Sequence, residues 1–290
     1  MRPHTDTTLP PPEELAQGDF EMIVRRLADD LAFGADNSLF VGGGLEYASS
    51  RPYQPGDSVR MLNWRLTART GKPFVKEYEA LKRTCVYIIL DTSASMSIAS
   101  TPLTKHGMAV WIAAAVGLVA QRRLSPVALM GGGERTTPLM PSLLRSDLWR
   151  ALEPLRAGAV SEETLLAERL VKLSDRASRQ SVFVIISDLH DPEALGAMRH
   201  AAQKHDCAVI HTIDPAERGG LRAGFFRGQE SETGASFIGH SGTAWAHAET
   251  IRTDLARCGA DYTALPTDQP FIAPLRLFLS SRGHVTRGRR

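Results

Sequence analysis

Cysteine is scarce in this chain, and the three cysteines present (Cys85, Cys207 and Cys258) include no closely spaced pair. An odd number of scattered cysteines argues against a disulfide framework and is typical of reduced packing residues in a cytoplasmic protein. The first residues also lack the apolar core of a signal peptide. We therefore predict a soluble, cytoplasmic protein.

Long apolar runs and a strong charge of one sign are missing as well. The longest apolar run, Met108 to Ala120, is shorter than the roughly 20 residues that a helix needs to span a bilayer. The formal net charge of +2 is too small to indicate nucleic-acid binding by itself. The sequence therefore predicts no membrane span, and nucleic acid is not the predicted partner.

Two groups of site motifs are absent from the sequence. The triplet Gly131-Gly132-Gly133 lacks the downstream Gly-Lys-Ser/Thr of a phosphate loop, and no G-x-G-x-x-G run opens a helix. The histidines show neither zinc-ligand spacing with a cysteine nor an H-E-x-x-H motif. We therefore predict no nucleotide site and no zinc site.

What the chain does contain, from residue 85 onward, is an alternation of short apolar runs with helical patterns. Apolar runs with little internal alternation are typical of strands buried on both faces, and they occur at 85–90, 127–130 and 182–187. Further strands are predicted at 208–213 and 261–265. Helices are predicted at 105–122, 142–156, 162–176, 192–205, 247–258 and within 270–282. This alternation predicts an α/β fold with a doubly wound, mostly parallel, Rossmann-like sheet.

The chain is long enough for one large domain and a smaller accessory piece. Residues 1–19, with three consecutive prolines, predict a disordered lead-in. Residues 20–82 predict an amphipathic helix over 21–31, followed by a small, irregular, β-rich segment with glycine and proline turns. The main domain is predicted over 83–282, and the basic end 283–290 is predicted to be a flexible tail.

A metal site is predicted where two of the apolar strands end. Asp91, Ser93 and Ser95 follow the strand 85–90 in a D-x-S-x-S pattern, and Asp188 follows the strand 182–187. The carboxyl ends of parallel strands meet at one edge of the sheet, so Asp188 can approach the same ion. Thr164, which opens the helical pattern Leu165 to Ser174, is a further candidate ligand or a helix cap. All five side chains offer hard oxygens, which suit Mg²⁺ or Mn²⁺.

A second interpretation of the D-x-S-x-S pattern stays open at this point. Asp and Ser also cap helices and fix turns through hydrogen bonds to the backbone. Asp91, Ser93 and Ser95 would then stabilise the start of the next helix without binding metal.

Residues 51–78 combine basic and aromatic side chains. The segment contains six Lys or Arg residues, and Asp57 is its only acid before Glu77. The aromatic residues Tyr53, Trp64, Phe74 and Tyr78 are interleaved with them. Such a mixture can contact phosphates and stack on bases. We favour an internal role instead, because arginine often ties loops together. Trp64 and the Gly56-Asp57 turn then predict folding elements, with Trp64 buried.

Three ordered runs in this region resemble the signature of the DUF58 family: Gly44 to Tyr47, Arg51 to Arg60 and Asn63 to Pro73. The likeness extends over about residues 20–265. In that family the signature precedes a von Willebrand factor A-like domain that opens with D-x-S-x-S, the pattern of its metal-ion-dependent adhesion site. The chain departs from the family at Asn63, where an acid is usual, and at Glu163-Thr164, where Gly-Thr is usual in the second metal loop.

The resemblance implies a partner and a way of binding it. Genes of the family often neighbour those of MoxR-type AAA+ ATPases, which implies an adaptor that works beside such an ATPase. A metal ion held by Asp91, Ser93 and Ser95 would keep an open position for an Asp or Glu of a client protein.

We therefore predict a non-enzymatic, metal-dependent interaction module with no catalytic residues. Two alternatives are a metal-dependent phosphoester hydrolase and a nucleic-acid-binding module that uses residues 51–76. Strand-end aspartate phosphatases need a second aspartate two residues on, and Ser93 occupies that position here. His190 and Glu162 are the nearest candidates for a general base in the hydrolase alternative.

Overall fold

A five-stranded parallel sheet lies at the centre of the larger of two units. The structure, a computed structural model, describes residues 19–32, 45–80, 84–97, 99–135, 140–159, 162–177, 180–191, 193–218, 225–229, 236–240 and 248–285. The smaller unit is residues 41–83, and the larger unit combines residues 1–40 with 84–290.

The helices and strands of both units are numbered together in chain order. The strands are β1 (Leu45–Pro52), β2 (Phe74–Ala80), β3 (Val86–Leu90), β4 (Val127–Gly131), β5 (Val182–Ser187), β6 (Asp206–Ile213), β7 (Phe225–Gln229), β8 (Ser236–His240) and β9 (Asp261–Pro266). The helices are α1 (Phe20–Ala32), α2 (Trp64–Thr70), α3 (Lys105–Arg122), α4 (Arg145–Leu152), α5 (Leu166–Arg176), α6 (Ala194–Lys204), α7 (Ala248–Cys258) and α8 (Ile272–Val285).

The central sheet has the strand order β4-β3-β5-β6-β9, and all its neighbours are parallel. Val86, Ile88 and Leu90 of β3 point into one apolar layer, together with α1, α3, α4 and α8. Ile89 points into the opposite layer, with α5, α6 and α7. Helices therefore cover both faces, which explains the continuous apolar character of the strands. The predicted α/β, doubly wound fold is confirmed.

Helix α3 is the most deeply buried helix of this unit. All its residues from Lys105 to Gln121 are buried, and most of them are apolar. A helix that is apolar on nearly every side belongs in a core. Among the described residues, no helix is both long and apolar enough to cross a membrane.

Helix α1 belongs to the larger unit, which corrects its predicted grouping within residues 20–82. Its apolar stripe, which includes Val24 and Leu27, is buried in the same layer as α3. The ring of Phe20 lies 4.5 Å from the ring of Trp111 on α3. The helix was expected to join the neighbouring β-rich segment because it is near in sequence, but its apolar face packs on the main core.

The smaller unit contains the antiparallel pair β1 and β2, with α2 in the connection between them. The Gly56-Asp57 turn is held by Arg51, whose guanidinium forms two 2.7 Å hydrogen bonds to the Asp57 carboxylate. Asn63 caps α2, because its side-chain oxygen accepts a hydrogen bond from the Leu66 N–H at 3.2 Å. Asparagine caps helices about as well as aspartate, so the departure at Asn63 preserves the cap.

Several boundaries differ from the predicted ones. Helix α4 ends at Leu152 and a short 3-10 turn follows, whereas a helix was predicted over 142–156. The antiparallel pair β7 and β8 was not predicted. Helix α8 continues to Val285, so the first three residues of the predicted tail 283–290 are helical. Apart from Asp19, the predicted lead-in 1–19 lies outside the described residues.

The prediction that Trp64 is buried is wrong, because 65% of this residue is exposed. It is the first residue of α2, and the bond from this helix to β2 comes from Thr67, whose hydroxyl accepts the Phe74 N–H at 3.0 Å. We expect Trp64→Ala to change the free energy of unfolding by about 0.5 kcal/mol or less, as for other surface substitutions. Urea denaturation of both proteins measures this, and a loss of several kcal/mol would contradict the exposed position.

Candidate metal centre

The predicted ligands lie where the order of the strands reverses. From β3 the chain passes through α3 to β4 on one side, and from β5 it passes through α6 to β6 on the other. These two strands are neighbours, with Leu90 opposite Ile186. Loops that leave two such strands diverge, and open α/β sheets bind ligands at this point of the carboxyl edge. Asp91 and Asp188 follow these two strands directly.

Asp91 is held firmly at the end of β3. Only 2% of the residue is exposed. Its Oδ1 accepts the Ser93 N–H at 3.0 Å, and its Oδ2 accepts the Ser187 hydroxyl at 2.6 Å. The Oγ atoms of Ser93 and Ser95 lie 3.1 Å apart. The structure therefore brings three of the five predicted ligands together on one loop.

The helix-capping interpretation of this loop does not hold for the next α-helix. The cap of α3 is Thr104, whose hydroxyl accepts the Gly107 N–H at 2.8 Å. Asp91 does tie down the turn through Ser93, so the turn-forming part of that interpretation is correct.

Asp188 meets the same loop from β5. The Ser95 side chain is close enough to help lower the pKa of the Asp188 carboxyl, so the ends of the two strands lie near each other. Its Oδ2 lies 2.7 Å from Nζ of Lys105 and 3.4 Å from Nδ1 of His190. The next residue, Leu189, has a φ of 58°, which a non-glycine residue adopts only when its surroundings hold it there. Its N–H donates to Ser187 Oγ at 2.9 Å, and this bond helps to hold the turn.

Thr164 reaches the same edge of the sheet through its backbone. It forms an isolated antiparallel bridge with Gly133, and the next N–H, that of Leu165, donates to Gly132 O at 2.8 Å. The Thr164 Oγ1 is buried and forms no hydrogen bond within the described part of the chain. Helix α5 begins two residues later and has no side-chain cap. The hydroxyl is therefore no helix cap, and it bonds none of the other four predicted ligands.

Glu162 joins the loops behind the predicted ligands. Its Oε1 accepts the Thr92 hydroxyl at 2.8 Å and the Arg135 N–H at 2.9 Å, and its Oε2 pairs with Arg135 Nε at 2.6 Å. Its backbone oxygen accepts the Ala94 N–H at 2.9 Å. A Cβ at position 133 would lie 2.3 Å from Glu162 Oε1, so only glycine fits beside this network. This network positions the loop that begins at Asp91.

Lys105 is the residue that the sequence analysis missed. It is the first residue of α3 and only 1% exposed. Its Nζ donates to Asp188 and to Glu217, and it lies between the two carboxylates. Because α3 follows β3 and runs antiparallel to it, the N-terminus of α3 lies at the carboxyl edge of the sheet. A cation at a helix N-terminus is unfavourable because it opposes the helix dipole. A lysine as the first residue of a buried apolar helix therefore indicates that acidic residues lie nearby, and the sequence could have shown this.

The two aspartates have different electrostatic surroundings. Burial, followed by the charge of Asp188, raises the pKa of Asp91 to about 6. Burial also raises the pKa of Asp188, but the charges of His190 and Lys105 outweigh it and lower the pKa below its usual value. The pKa of Lys105 is raised, because its two carboxylate partners outweigh its burial. Asp188 therefore has a counter-ion within the chain, whereas Asp91 is the less compensated acid.

A second group with metal-ligand chemistry adjoins this site. Asp188, His190 and Glu217 have ligand atoms that all lie within 4.8 Å of one another. The Lys105 ammonium group hydrogen-bonds both carboxylates of this group. It therefore supplies the positive charge that a metal ion would otherwise bring, and we assign no second metal site here.

Comparison with known proteins gives a matching family and several similar chains. The family described as "Protein of unknown function DUF58" matches residues 49–257. The uncharacterized proteins Mb1516 of Mycobacterium bovis and Rv1480 of Mycobacterium tuberculosis are each 27% identical to this chain, over 90% of it and 87% of their own length. A crystal structure of the Deinococcus radiodurans RO (RSR) protein is 20% identical with a TM-score of 0.35. That match covers 69% of this chain but only 34% of the longer protein.

Proposed function

Because the chain belongs to the DUF58 family, we propose that it is a non-enzymatic interaction module that binds a partner protein through a divalent metal ion. In this proposal the larger unit is a von Willebrand factor A-like domain with a metal-ion-dependent adhesion site. The protein acts as an adaptor beside a MoxR-type AAA+ ATPase, and a client protein supplies an Asp or Glu to the metal.

The observation that carries the proposal is the convergence of Asp91, Ser93, Ser95 and Asp188 at the strand-order reversal. Hydrogen bonds connect Ser93 to Asp91 and to Ser95. Ser95 also lies close enough to Asp188 to help lower its pKa. These donors are all hard oxygens, the ligands that Mg²⁺ and Mn²⁺ prefer. A crevice with one poorly compensated carboxylate and two hydroxyls favours a small divalent cation.

Thr164 supports the same assignment independently. A buried hydroxyl without a hydrogen-bond partner costs about 1–3 kcal/mol, and such groups in native structures call for an explanation. The Thr164 backbone pairs with Gly133, while the neighbouring Gly132 approaches Asp91: a Cβ at position 132 would lie 3.2 Å from the Asp91 Cα. A metal ion in this crevice would give the Thr164 hydroxyl an electrostatic partner, and we propose Thr164 as the fifth ligand.

When bound, the ion supplies an open coordination position that a partner's carboxylate can fill. The chain's own residues prepare the site for it. Ser187 and the Ser93 N–H orient the Asp91 carboxylate, and Lys105 compensates part of the negative charge at Asp188. That compensation leaves Asp91 as the dominant anionic ligand, so a divalent ion bound there would keep positive charge to attract an acidic group.

The surroundings of the two candidate bases support a binding role over hydrolysis. Both Glu162 carboxylate oxygens are engaged by Thr92 and Arg135. His190 lies beside the carboxylates of Asp188 and Glu217. A hydrolase also needs a pocket for its substrate. Two pockets of about 160 and 260 Å³ lie beside α7 and β9 and beside α5, and none of the five proposed ligands lines either of them.

Calorimetric titration with Mn²⁺ tests the site directly. We expect one weak site in the wild type and a loss of more than about tenfold in affinity in Asp91→Ala and Asp91→Asn, because a carboxylate ligand is removed. Asp29→Asn, which changes an exposed acid on α1, is the matched control and should bind as the wild type does. Equal affinities in all four proteins would refute the site. Metal-dependent phosphoester hydrolysis that disappears in Asp91→Ala would replace the proposal with the hydrolase alternative.

The raised pKa of Asp91 predicts how metal binding depends on pH. Below its pKa of about 6, Asp91 holds a proton that the metal must displace, so affinity falls as the pH decreases. We expect Mn²⁺ affinity to change little between pH 8 and 7 and to fall about fivefold between pH 6 and 5. Titrations across this range measure it. An affinity that stays constant down to pH 5 would mean that Asp91 is not the titrating ligand.

A further inference from the structure

The smaller unit exposes a group of side chains that its own fold does not use. Helix α2 turns Leu66 and Thr67 inward, and its other face carries Trp64, Arg65 and Arg69. The preceding 3-10 turn adds Val59, Arg60 and Met61, all of them exposed. We call these six residues, Val59, Arg60, Met61, Trp64, Arg65 and Arg69, the α2 surface.

The α2 surface is built on a short but well-anchored helix. The Asn63 cap fixes its start, and Gly71, with a φ of 72°, ends it. The Asn63 N–H donates to Phe74 O at 2.8 Å, and Thr67 accepts the Phe74 N–H, so both ends of the first turn are tied to β2. The exposed tryptophan and arginines therefore start from a fixed backbone, which lowers the entropic cost of binding.

The charge of this surface is positive, and among the side chains that the structure describes no acid compensates it. Asp57 is the only acid between residues 51 and 76. Arg51 occupies both oxygens of its carboxylate, and these hydrogen bonds lower the pKa of Asp57 to about 2. Within the described residues, Arg60, Arg65 and Arg69 form no ion pair. The arginines of this region were predicted to tie loops together within the protein. Arg51 does so through Asp57, whereas Arg60, Arg65 and Arg69 form no such ion pair among the described residues.

The composition of the α2 surface indicates the class of partner. Tryptophan, methionine and arginine are the residues most enriched in the centres of protein interfaces, and tryptophan and arginine dominate their binding energy. Single-stranded nucleic acids need several aromatic rings to stack successive bases. This surface has one ring, and Val59 and Met61 cannot stack in that way. The observations therefore favour a protein partner over a nucleic acid.

We propose that the α2 surface docks an acidic protein segment, whose carboxylates pair with Arg60, Arg65 and Arg69 and whose apolar or aromatic side chain packs on Trp64. Arginine suits this task because its planar group binds a carboxylate through two parallel hydrogen bonds. The α2 surface contains no metal ligand, so this contact is separate from the proposed metal-dependent one. It gives the protein a second contact for a partner, independent of Asp91.

Fluorescence anisotropy with three labelled polymers tests this inference: a random copolymer of glutamate and tyrosine, polyglutamate, and oligothymidylate. We expect the wild type to bind the copolymer about tenfold more tightly than polyglutamate, because only the copolymer offers an aromatic ring to Trp64. Trp64→Ala should abolish that difference. Arg65→Glu with Arg69→Glu should weaken both acidic polymers by at least about tenfold, since attraction becomes repulsion.

The controls separate this inference from the metal proposal and from unfolding. Arg145→Glu with Arg150→Glu makes the same charge change on the exposed side of α4 and should bind as the wild type does. Chelation and Asp91→Ala should leave copolymer binding intact, and circular dichroism checks that each variant is folded. No copolymer binding, or equal binding by the Arg65/Arg69 variant, would overturn the inference. Tighter binding of oligothymidylate than of the copolymer would assign the surface to nucleic acid instead.

Discussion

Replacing Lys105 with methionine is expected to lower the free energy of unfolding by about 3–5 kcal/mol, the usual cost of removing one partner from a buried ion pair. The Lys105 ammonium group is the counter-ion of Asp188 and Glu217. Methionine fills a similar volume but supplies no charge, so two neighbouring carboxylates would be left without compensation. Thermal and urea denaturation in the presence of a chelator measure this loss.

Arg122→Met is the matched control, because Arg122 lies at the opposite end of the same helix. Its ion pair with Asp29 is at the surface, where such pairs contribute about 0–1 kcal/mol. Adding Glu217→Gln to Lys105→Met should recover part of the stability, because one of the two uncompensated carboxylates becomes neutral. If Lys105→Met unfolds at the same temperature as the wild type, Lys105 is not the counter-ion of these acids.

The same variant also connects stability with the proposed metal. Lys105 and a divalent ion would both compensate Asp188, so removing the lysine should make the site more dependent on the ion. We expect Mn²⁺ to raise the melting temperature of Lys105→Met by more than that of the wild type, because an ion that binds only the folded state stabilises it. An equal increase in both proteins would place the ion beyond the reach of Asp188.

The fold was predictable because its strands are buried on both faces. Runs such as Val182 to Ile186 are apolar without alternation, and this pattern is typical of parallel sheets covered by helices. The meeting of Asp91 and Asp188 followed from the same topology, since parallel strands end at one edge. The start of α5 was less predictable. The bridge between Thr164 and Gly133 keeps residues 162–165 out of the helix, and a tertiary contact of this kind leaves no local signal.

The features that were missed depend on contacts between distant residues. Lys105 and Glu217 are far apart in the chain, and they meet because α3 begins, and β6 ends, at the carboxyl edge of the sheet. Helix α1 was grouped with its sequence neighbours, although its apolar stripe packs on α3. Trp64 was expected to be buried because large aromatic residues usually are. Its exposure comes from its position on a seven-residue helix whose opposite side contacts β2.

Replacing Asp91 is expected to abolish the proposed complex with a MoxR-type AAA+ ATPase or its client, and chelation should have the same effect. If the metal ion is the bridge, the partner's carboxylate loses its main attractor when the ion is lost. Asp91→Ala, Ser93→Ala and a chelator should therefore each remove the same complex. Co-purification of the tagged protein with the ATPase from its source organism, with added Mg²⁺ or with chelator, measures this.

Two further comparisons separate the metal contact from other causes. Asp91→Ala is expected to stay folded, because the buried charge is unfavourable and its loss offsets the two hydrogen bonds from Ser93 and Ser187. Arg65→Glu with Arg69→Glu should leave the Mn²⁺ affinity unchanged, since those residues lie in the other unit. In the chelated wild type, adding Mg²⁺ back should restore the complex, whereas in Asp91→Ala it should not. A complex that persists in Asp91→Ala and in chelator would show that the partner binds a different surface, and the metal-bridged adaptor would then be wrong.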